Sequence, residues 1–357
     1  MIDENLANSN WEHWLYIVNL EPHFPELPPL TGDDFERKFY QRPENEIGMN
    51  DILAAISGAA KTKIVFTPGH GATTMFQAVL RRLNSQPTRR LHVPIDVAKY
   101  LGEDEEIGDV LWEHIHRDIF RQLMTSDSFT HLHGTRRTSF QILFDQARFS
   151  NFIDYFNSTR ARLLHAKPGS DEENKLLASF RYAPSISSLG DLFHVLLIEL
   201  GVETVLLFDV PRTANTQALL SLMGEVKAFD EQVRIRAQFP KAALTEVYFG
   251  TSGTLGTLEA TYHRDYQTVE VPPYNMAEGF AILTKHYGVR YVTYPIQTQS
   301  LITILSASYL DDVWSSSKSL SEMMRDLKLS LLNHLDCPRN KVSFGMFQDP
   351  AQAGGKQ

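Results

Sequence analysis

Between Lys63 and Asn84 the chain passes through three patterns in succession, and their order restricts the fold more than any other stretch. An apolar strand (Lys63 to Thr67) leads into the turn Thr67-Pro68-Gly69-His70-Gly71, then into a helix from Thr73 to Asn84. In that helix Met75, Phe76, Val79, Leu80 and Leu83 recur at helical spacing. A strand that feeds an amphipathic helix returns to its sheet by a crossover, so the next strand runs parallel to it.

The same alternation continues along the chain. A helix is expected from Asp51 to Ala60, capped by Asn50 or Asp51. A strand from Arg90 to Val97 alternates Leu91, Val93, Ile95 and Val97 toward one face. Acidic residues Glu103 to Glu106 open a helix that runs to Thr125. Ser187 or Ser188 caps a helix through Leu200, and Gly201 closes it. Strands follow at Thr204 to Phe208, ending in Asp209, at Thr245 to Gly250, ending in Thr251-Ser252-Gly253, and at Thr268 to Val271 before Pro272-Pro273. Three helical patterns come last, at Met276 to Tyr287, Pro295 to Tyr309 and Leu320 to Leu335. Residues 126–186 carry the weakest pattern, with a helix around Thr138 to Asn157 and a polar loop at Lys167 to Asn174. Residues 1–40 read as an irregular arm, and residues 346–357 as a disordered tail.

Strands alternating with helices imply a mostly parallel sheet with helices on both faces, and such sheets hold ligands at the carboxyl ends of their strands. Three polar sites fall at such ends: the turn at 67–74, Asp209, and Thr251-Ser252. The turn is the richest of them. Set against the phosphate-loop pattern G-x-x-x-x-G-K-[ST], Gly71 and Thr73 match, Phe66 stands at the first glycine, and Ala72 replaces the lysine. The half that is missing carries the positive charge. A glycine turn of this kind also occurs as an ordinary tight turn with no phosphate to hold.

Composition narrows the classes. With 357 residues, 43% hydrophobic and 22% charged, the chain has material for a sizeable core and two domains. A net charge of −9 argues against a surface built to coat nucleic acid, although Arg81-Arg82, Arg89-Arg90, Arg136-Arg137 and the pair Arg160 and Arg162 form local basic clusters. The lone cysteine, Cys337, excludes an internal disulfide framework and has no evident base beside it. No run of about 18 apolar residues occurs, and no export signal is visible, so a cytoplasmic location is expected, or a nuclear one in a eukaryote. His114 with His116, and His131 with His133, invite a metal. On a helix, however, residues two apart diverge, and neither CxxC nor HExxH accompanies them.

Taken in order, these segments resemble the AAA+ and related STAND P-loop NTPases, in particular the origin-recognition-like and archaeal-type ATPase branches. Gln41-Arg42-Pro43-Glu44-Asn45-Glu46-Ile47 resembles the box that precedes the phosphate loop in that family, with Pro43 as an insertion and Gln41 in place of glycine. Val205 to Asp209 resembles the Walker B strand, Tyr248 to Thr251 the sensor 1 strand, and Val269 to Pro273 the passage from core to lid. The resemblance implies an α/β fold: a P-loop NTPase-like, mostly parallel sheet at 41–273 flanked by helices, with an insertion at about 126–186. A smaller helical, lid-like C-terminal domain would follow at 274–345.

The resemblance also implies ATP or ADP with Mg as the ligand. Arg42 would stand near the adenine; Pro68, Gly69, His70, Gly71, Thr73 and Thr74 would surround the phosphates; and Thr251 would stand at the sensor tip. Thr73 and Asp209 would hold Mg. Two catalytic elements of the family are replaced, the lysine by Ala72 and the glutamate after Asp209 by Val210. Loss of the lysine alone weakens nucleotide binding roughly ten- to a hundred-fold. The expectation is therefore a pseudo-ATPase that assembles with other protein subunits, reaching nucleic acid only through the complex and touching no membrane. Family members of this kind act in DNA transactions such as replication, transposition or defence. Arg212, Arg264 and Arg290 are candidates to reach a neighbouring subunit. Two alternatives stand beside this reading. One is an active NTPase in which His70 or an arginine replaces the lysine; the other is a nucleic-acid-binding adaptor.

Overall fold

The computed structural model describes residues 35–43, 47–58, 61–86, 89–100, 107–130, 132, 152–167, 169–178, 189–237, 244–256, 266–286, 307–317 and 319–327. Expectations for residues 1–34, 138–151, 295–306, 328–335 and 346–357 fall outside that set. The chain divides into two compact units, one of residues 1–49, 66–78 and 271–357, the other of residues 50–65 and 79–270.

The larger unit carries the sheet. Its strands are β1 (Lys61–Phe66), β2 (Arg90–Asp96), β3 (Glu203–Asp209), β4 (Leu244–Thr251) and β5 (Gln267–Val271). All run parallel, in the order β2-β3-β4-β1-β5. The sequence-based strand positions hold to within two residues at each end. Strands covered on both faces need apolar side chains throughout, and Val205, Leu206, Leu207 and Phe208 of β3 are fully buried. The register places Asp209 opposite Asp96 on one side and Phe249 on the other. Lys61 of β1 forms an ion pair with the fully buried Glu246 of β4, which also accepts the Tyr248 hydroxyl at 2.8 Å. Pro94 sits in β2, and β2 is an edge strand, where a missing ladder donor is tolerated.

Neighbouring strands β1 and β4 send their connections in opposite directions, β1 toward β2 at one edge and β4 toward β5 at the other. That divergence marks the switch point at which open α/β sheets form a crevice.

Before β1 stands α2 (Met49–Gly58), one short helical turn, α1 (Phe35–Lys38), preceding it. After the glycine turn comes α3 (Ala72–Asn84). A 3-10 turn (Val97–Tyr100) leads from β2 toward α4 (Ile107–Thr125), then α5 (Asp127–Thr130), α6 (Phe152–His165) and α7 (Asp171–Ala178). The expected helix ending at Leu200 is an α-helix, α8 (Leu189–His194), that widens into a π-helical turn over Val195–Leu200. Gly201 closes it with φ +65°, donating its N–H to the Leu196 carbonyl, as the sequence suggests. Helix α9 (Thr216–Ala237) joins β3 to β4. The core of this unit packs Ile115, Ile119 and Phe120 of α4 and Leu222 and Val226 of α9 with Leu206 and Phe208 of the sheet.

In the other unit, helices α10 (Met276–His286), α11 (Ala307–Ser316) and α12 (320–327) join α1 and the start of α3. Helix α1 packs on α10, and Lys285 donates to the Phe39 carbonyl at 2.7 Å. Leu320, Met323, Met324 and Leu327 of α12 are buried. Among the described residues no helix is long and apolar enough to cross a membrane.

Candidate functional site

The turn after β1 is built by two glycines. Gly69 and Gly71 adopt φ +78° and +81°, a region that costs other residues roughly 1–2 kcal/mol. The His70 N–H closes the turn on the Thr67 carbonyl at 3.2 Å, and the Met75 N–H reaches the Gly71 carbonyl at 2.9 Å as α3 begins.

Gly69 has a second reason to lack a side chain. A Cβ there would lie 2.5 Å from the Ser319 Oγ and 2.6 Å from its Cβ. The Gly69 carbonyl accepts both the Ser321 N–H, at 3.2 Å, and the Ser321 hydroxyl, at 3.0 Å. Ser319 caps α12, its Oγ accepting the Glu322 N–H at 3.2 Å. Part of the turn thus serves the start of a C-terminal helix, whose first N–H groups have no partner within the helix. At Gly71 a Cβ would meet only the Tyr274 ring at 3.9 Å, so the backbone angle alone requires glycine there.

Among the described residues of this unit, His70 and Arg42 are the sequence-selected groups that can carry positive charge. Neither presents it freely. His70 is buried, and its Nδ1 accepts the Tyr274 N–H at 3.1 Å, which leaves the ring proton on Nε2. Burial lowers its pKa from the usual value; the Arg42 charge lowers it further and Glu278 opposes them. The imidazole is therefore neutral at pH 7. Arg42 is buried against Glu278, with Nε to Oε1 at 2.7 Å and Nη2 to Oε2 at 3.4 Å. Its guanidinium also lies 4.6 Å over the Tyr274 ring and donates to the Ile47 carbonyl at 3.4 Å. Glu278 takes part in a capping box at α10: its Oε2 accepts the Asn275 N–H at 2.9 Å while its own N–H donates to the Asn275 Oδ1 at 3.0 Å.

Tyr274, Glu278, Ser319 and Ser321 were not among the residues selected by sequence. A signal for two of them existed, because Asn275-x-x-Glu278 and Ser319-x-x-Glu322 both fit the capping-box spacing. His70, Tyr274, Trp314, Ser317 and Ser319 line a cavity of about 210 Å³, below the roughly 300–1,000 Å³ usual for ligand clefts. Thr73 and Thr74 lie half-buried on the first turn of α3, and Pro68 is half-buried in the turn.

The remaining selected residues stand on the larger unit. Asp209 ends β3 and is half-buried. Val210 is buried and donates its N–H to the Phe249 carbonyl at 2.8 Å, extending the strand ladder. Thr251 is buried at the tip of β4. It is held by Thr254, whose Oγ1 accepts the Thr251 N–H at 3.2 Å, lies 3.2 Å from its Oγ1, and donates to its carbonyl at 3.0 Å.

Several basic residues are engaged locally: Arg90 with Glu203 at 2.7 Å, Arg160 with Asp127 at 2.6 Å, and Arg162 with Glu172 at 3.5 Å. Arg212 is exposed in the turn after β3. Arg136, Arg137, Arg264, Arg290, His131, His133 and Cys337 lie outside the described residues. His114 donates from Nε2 to the Pro94 carbonyl at 2.8 Å, and His116 packs between Trp112 and Phe120. Among the described residues no group of three His, Cys, Asp or Glu side chains could hold a metal ion.

Compared with known proteins, the sequence matches no family model and no curated relative.

Proposed function

We propose that this chain is a P-loop-like pseudo-ATPase that serves as an assembly subunit in a multiprotein complex. The observation that carries this reading is the commitment of the charges beside the turn: Arg42 is held by the Glu278 carboxylate, and His70 accepts a backbone N–H in its neutral form. With Ala72 in the lysine position, neither of these two groups, the selected cations among the described residues of that unit, is placed to meet β- and γ-phosphates. The Gly69 carbonyl is spent on α12, so the turn contributes to the cohesion of its own unit. Val210 in place of glutamate removes the group that would polarise an attacking water.

In this reading the helices after residue 274 are a lid-like domain turned to docking, and the partners are other protein subunits. Those partners would work in a DNA transaction or a defence system, with nucleic acid reached through the complex. The strand order supports the same reading, because the switch point falls at β1 and β4.

The alternative, an NTPase with a substitute cation, requires His70 or Arg42 to leave its present partner. The adaptor alternative draws on basic pairs such as Arg81-Arg82, at the end of α3, and Arg136-Arg137. It predicts salt-sensitive nucleic-acid binding that charge reversal at either pair weakens.

The test combines calorimetry with ATP, with and without Mg, and light scattering of the purified chain with its co-purifying proteins. The expected result is ATP affinity no tighter than about 1 mM and a particle heavier than the 40.6 kDa monomer. A monomer that binds ATP tightly would contradict it.

A further inference from the structure

Helix α4 carries His114 and His116 two residues apart, and both line a cavity of about 460 Å³ together with Lys99, Tyr100, Arg117 and Leu177. This cavity lies at the carboxyl end of β2, where the 3-10 turn leaves the strand, and shares no residue with the glycine turn. Its volume falls within the roughly 300–1,000 Å³ of small-molecule sites.

The walls are of three kinds. Tyr100 stands edge-on to His114 with ring centroids 6.2 Å apart, and with Leu177 and Val110 it supplies the apolar part of the wall. The His114 Nε2 proton is given to the Pro94 carbonyl, so Nδ1 keeps a lone pair that can accept a hydrogen bond. His116 is buried between Trp112 and Phe120, with centroids at 5.1 and 4.5 Å. Burial lowers its pKa to about 4, so it enters the site as a neutral ring.

Charge supplies the third wall. Lys99 lies 3.8 Å from Asp96, and Glu113 adds a carboxylate. Arg117 is exposed and makes no hydrogen bond or ion pair with any described residue, so its planar fork of donors is available. With Asp96 and Glu113 offsetting part of the positive charge, the site favours a singly attached phosphate over a triphosphate.

We propose that this cavity binds a phosphate monoester carried on a flat heterocycle, of mononucleotide size, with the phosphate on Arg117 and Lys99 and the ring against Tyr100 and His114. Such a ligand fills the apolar wall, gives an exocyclic amine N–H to the His114 Nδ1, and neutralises Arg117.

The experiment is calorimetric titration of the full chain with AMP, with adenosine and inorganic phosphate as separate probes. AMP should saturate the protein, and each part alone should bind at least about ten-fold more weakly. Arg117→Ala should weaken AMP about 10- to 100-fold and leave adenosine unchanged. Alanine at this exposed helical position suits the helix, so the fold is kept. Val110→Trp, at a position 36% exposed on the wall, should abolish binding by filling the space. Absence of saturable AMP binding up to about 10 mM, or AMP binding unchanged by either substitution, overturns the proposal.

Discussion

Glycine 69 and glycine 71 look alike in sequence and in backbone angle, yet they answer to different constraints. At Gly71 an added methyl meets only an ordinary contact with Tyr274, so Gly71→Ala should cost about 1–2 kcal/mol through the left-handed backbone. Gly69→Ala adds a collision with Ser319 to that same term and should cost more, about 3 kcal/mol. Urea midpoints of the two variants check the order, and equal losses would remove Ser319 from the account. The buried Arg42–Glu278 pair gives a second prediction at this scale. Arg42→Met strands a buried carboxylate and should destabilise by about 3–5 kcal/mol. Arg42→Met combined with Glu278→Gln should recover part of that loss, a coupling that a double-mutant cycle measures.

At the scale of elements, legibility followed the physical source of each signal. Strands β3 and β4 were readable because burial on both faces forces an unbroken apolar run, Val205 to Phe208 being the plainest. Helix α3 was readable because one face alone is apolar. The π-helical turn at Val195–Leu200 left no mark, since Val-Leu-Leu-Ile-Glu-Leu suits either helix and the wider turn is set by tertiary packing. Within the site, Gly69, His70 and Gly71 were legible as a turn from local backbone demands. The partners that define their role, Tyr274, Glu278, Ser319 and Ser321, lie more than 200 residues away, so capping-box spacing could mark Glu278 and Ser319 as caps but no local pattern could pair them with the turn. Ser319→Ala removes the cap of α12 and should cost about 1 kcal/mol. Thermal unfolding with the Glu322 amide followed by hydrogen exchange checks it.

For the molecule as a whole, buried titratable groups shape stability against pH. Burial lowers His92 and His116 to about 4 from 6.5, so the unfolded chain binds their protons first. Stability from these two is fully present above pH about 6.5 and is lost as pH falls toward 4. Asp118 runs the other way: burial raises it from 3.8 to about 6, so folding favours its protonated form and stability falls as pH rises from 3.8 through 6. Two histidines outweigh one carboxyl, and the net curve should descend toward acid between pH 6.5 and 4. Urea denaturation across that window checks the slope. His116→Gln should flatten it and Asp118→Asn should steepen it.

The same scale carries the functional proposal, a pseudo-ATPase built on a parallel sheet whose switch point falls at β1 and β4. Arg42 is held by Glu278 and the neutral His70 accepts the Tyr274 N–H, and the proposal takes Ala72 and Val210 to replace a lysine and a glutamate. The most direct measurement is Mg-dependent ATP hydrolysis by the purified full chain, set against Asp209→Ala. The account predicts release of phosphate no faster than in protein-free buffer, with the variant indistinguishable from the natural chain. Mg-dependent turnover that disappears on Asp209→Ala would contradict it.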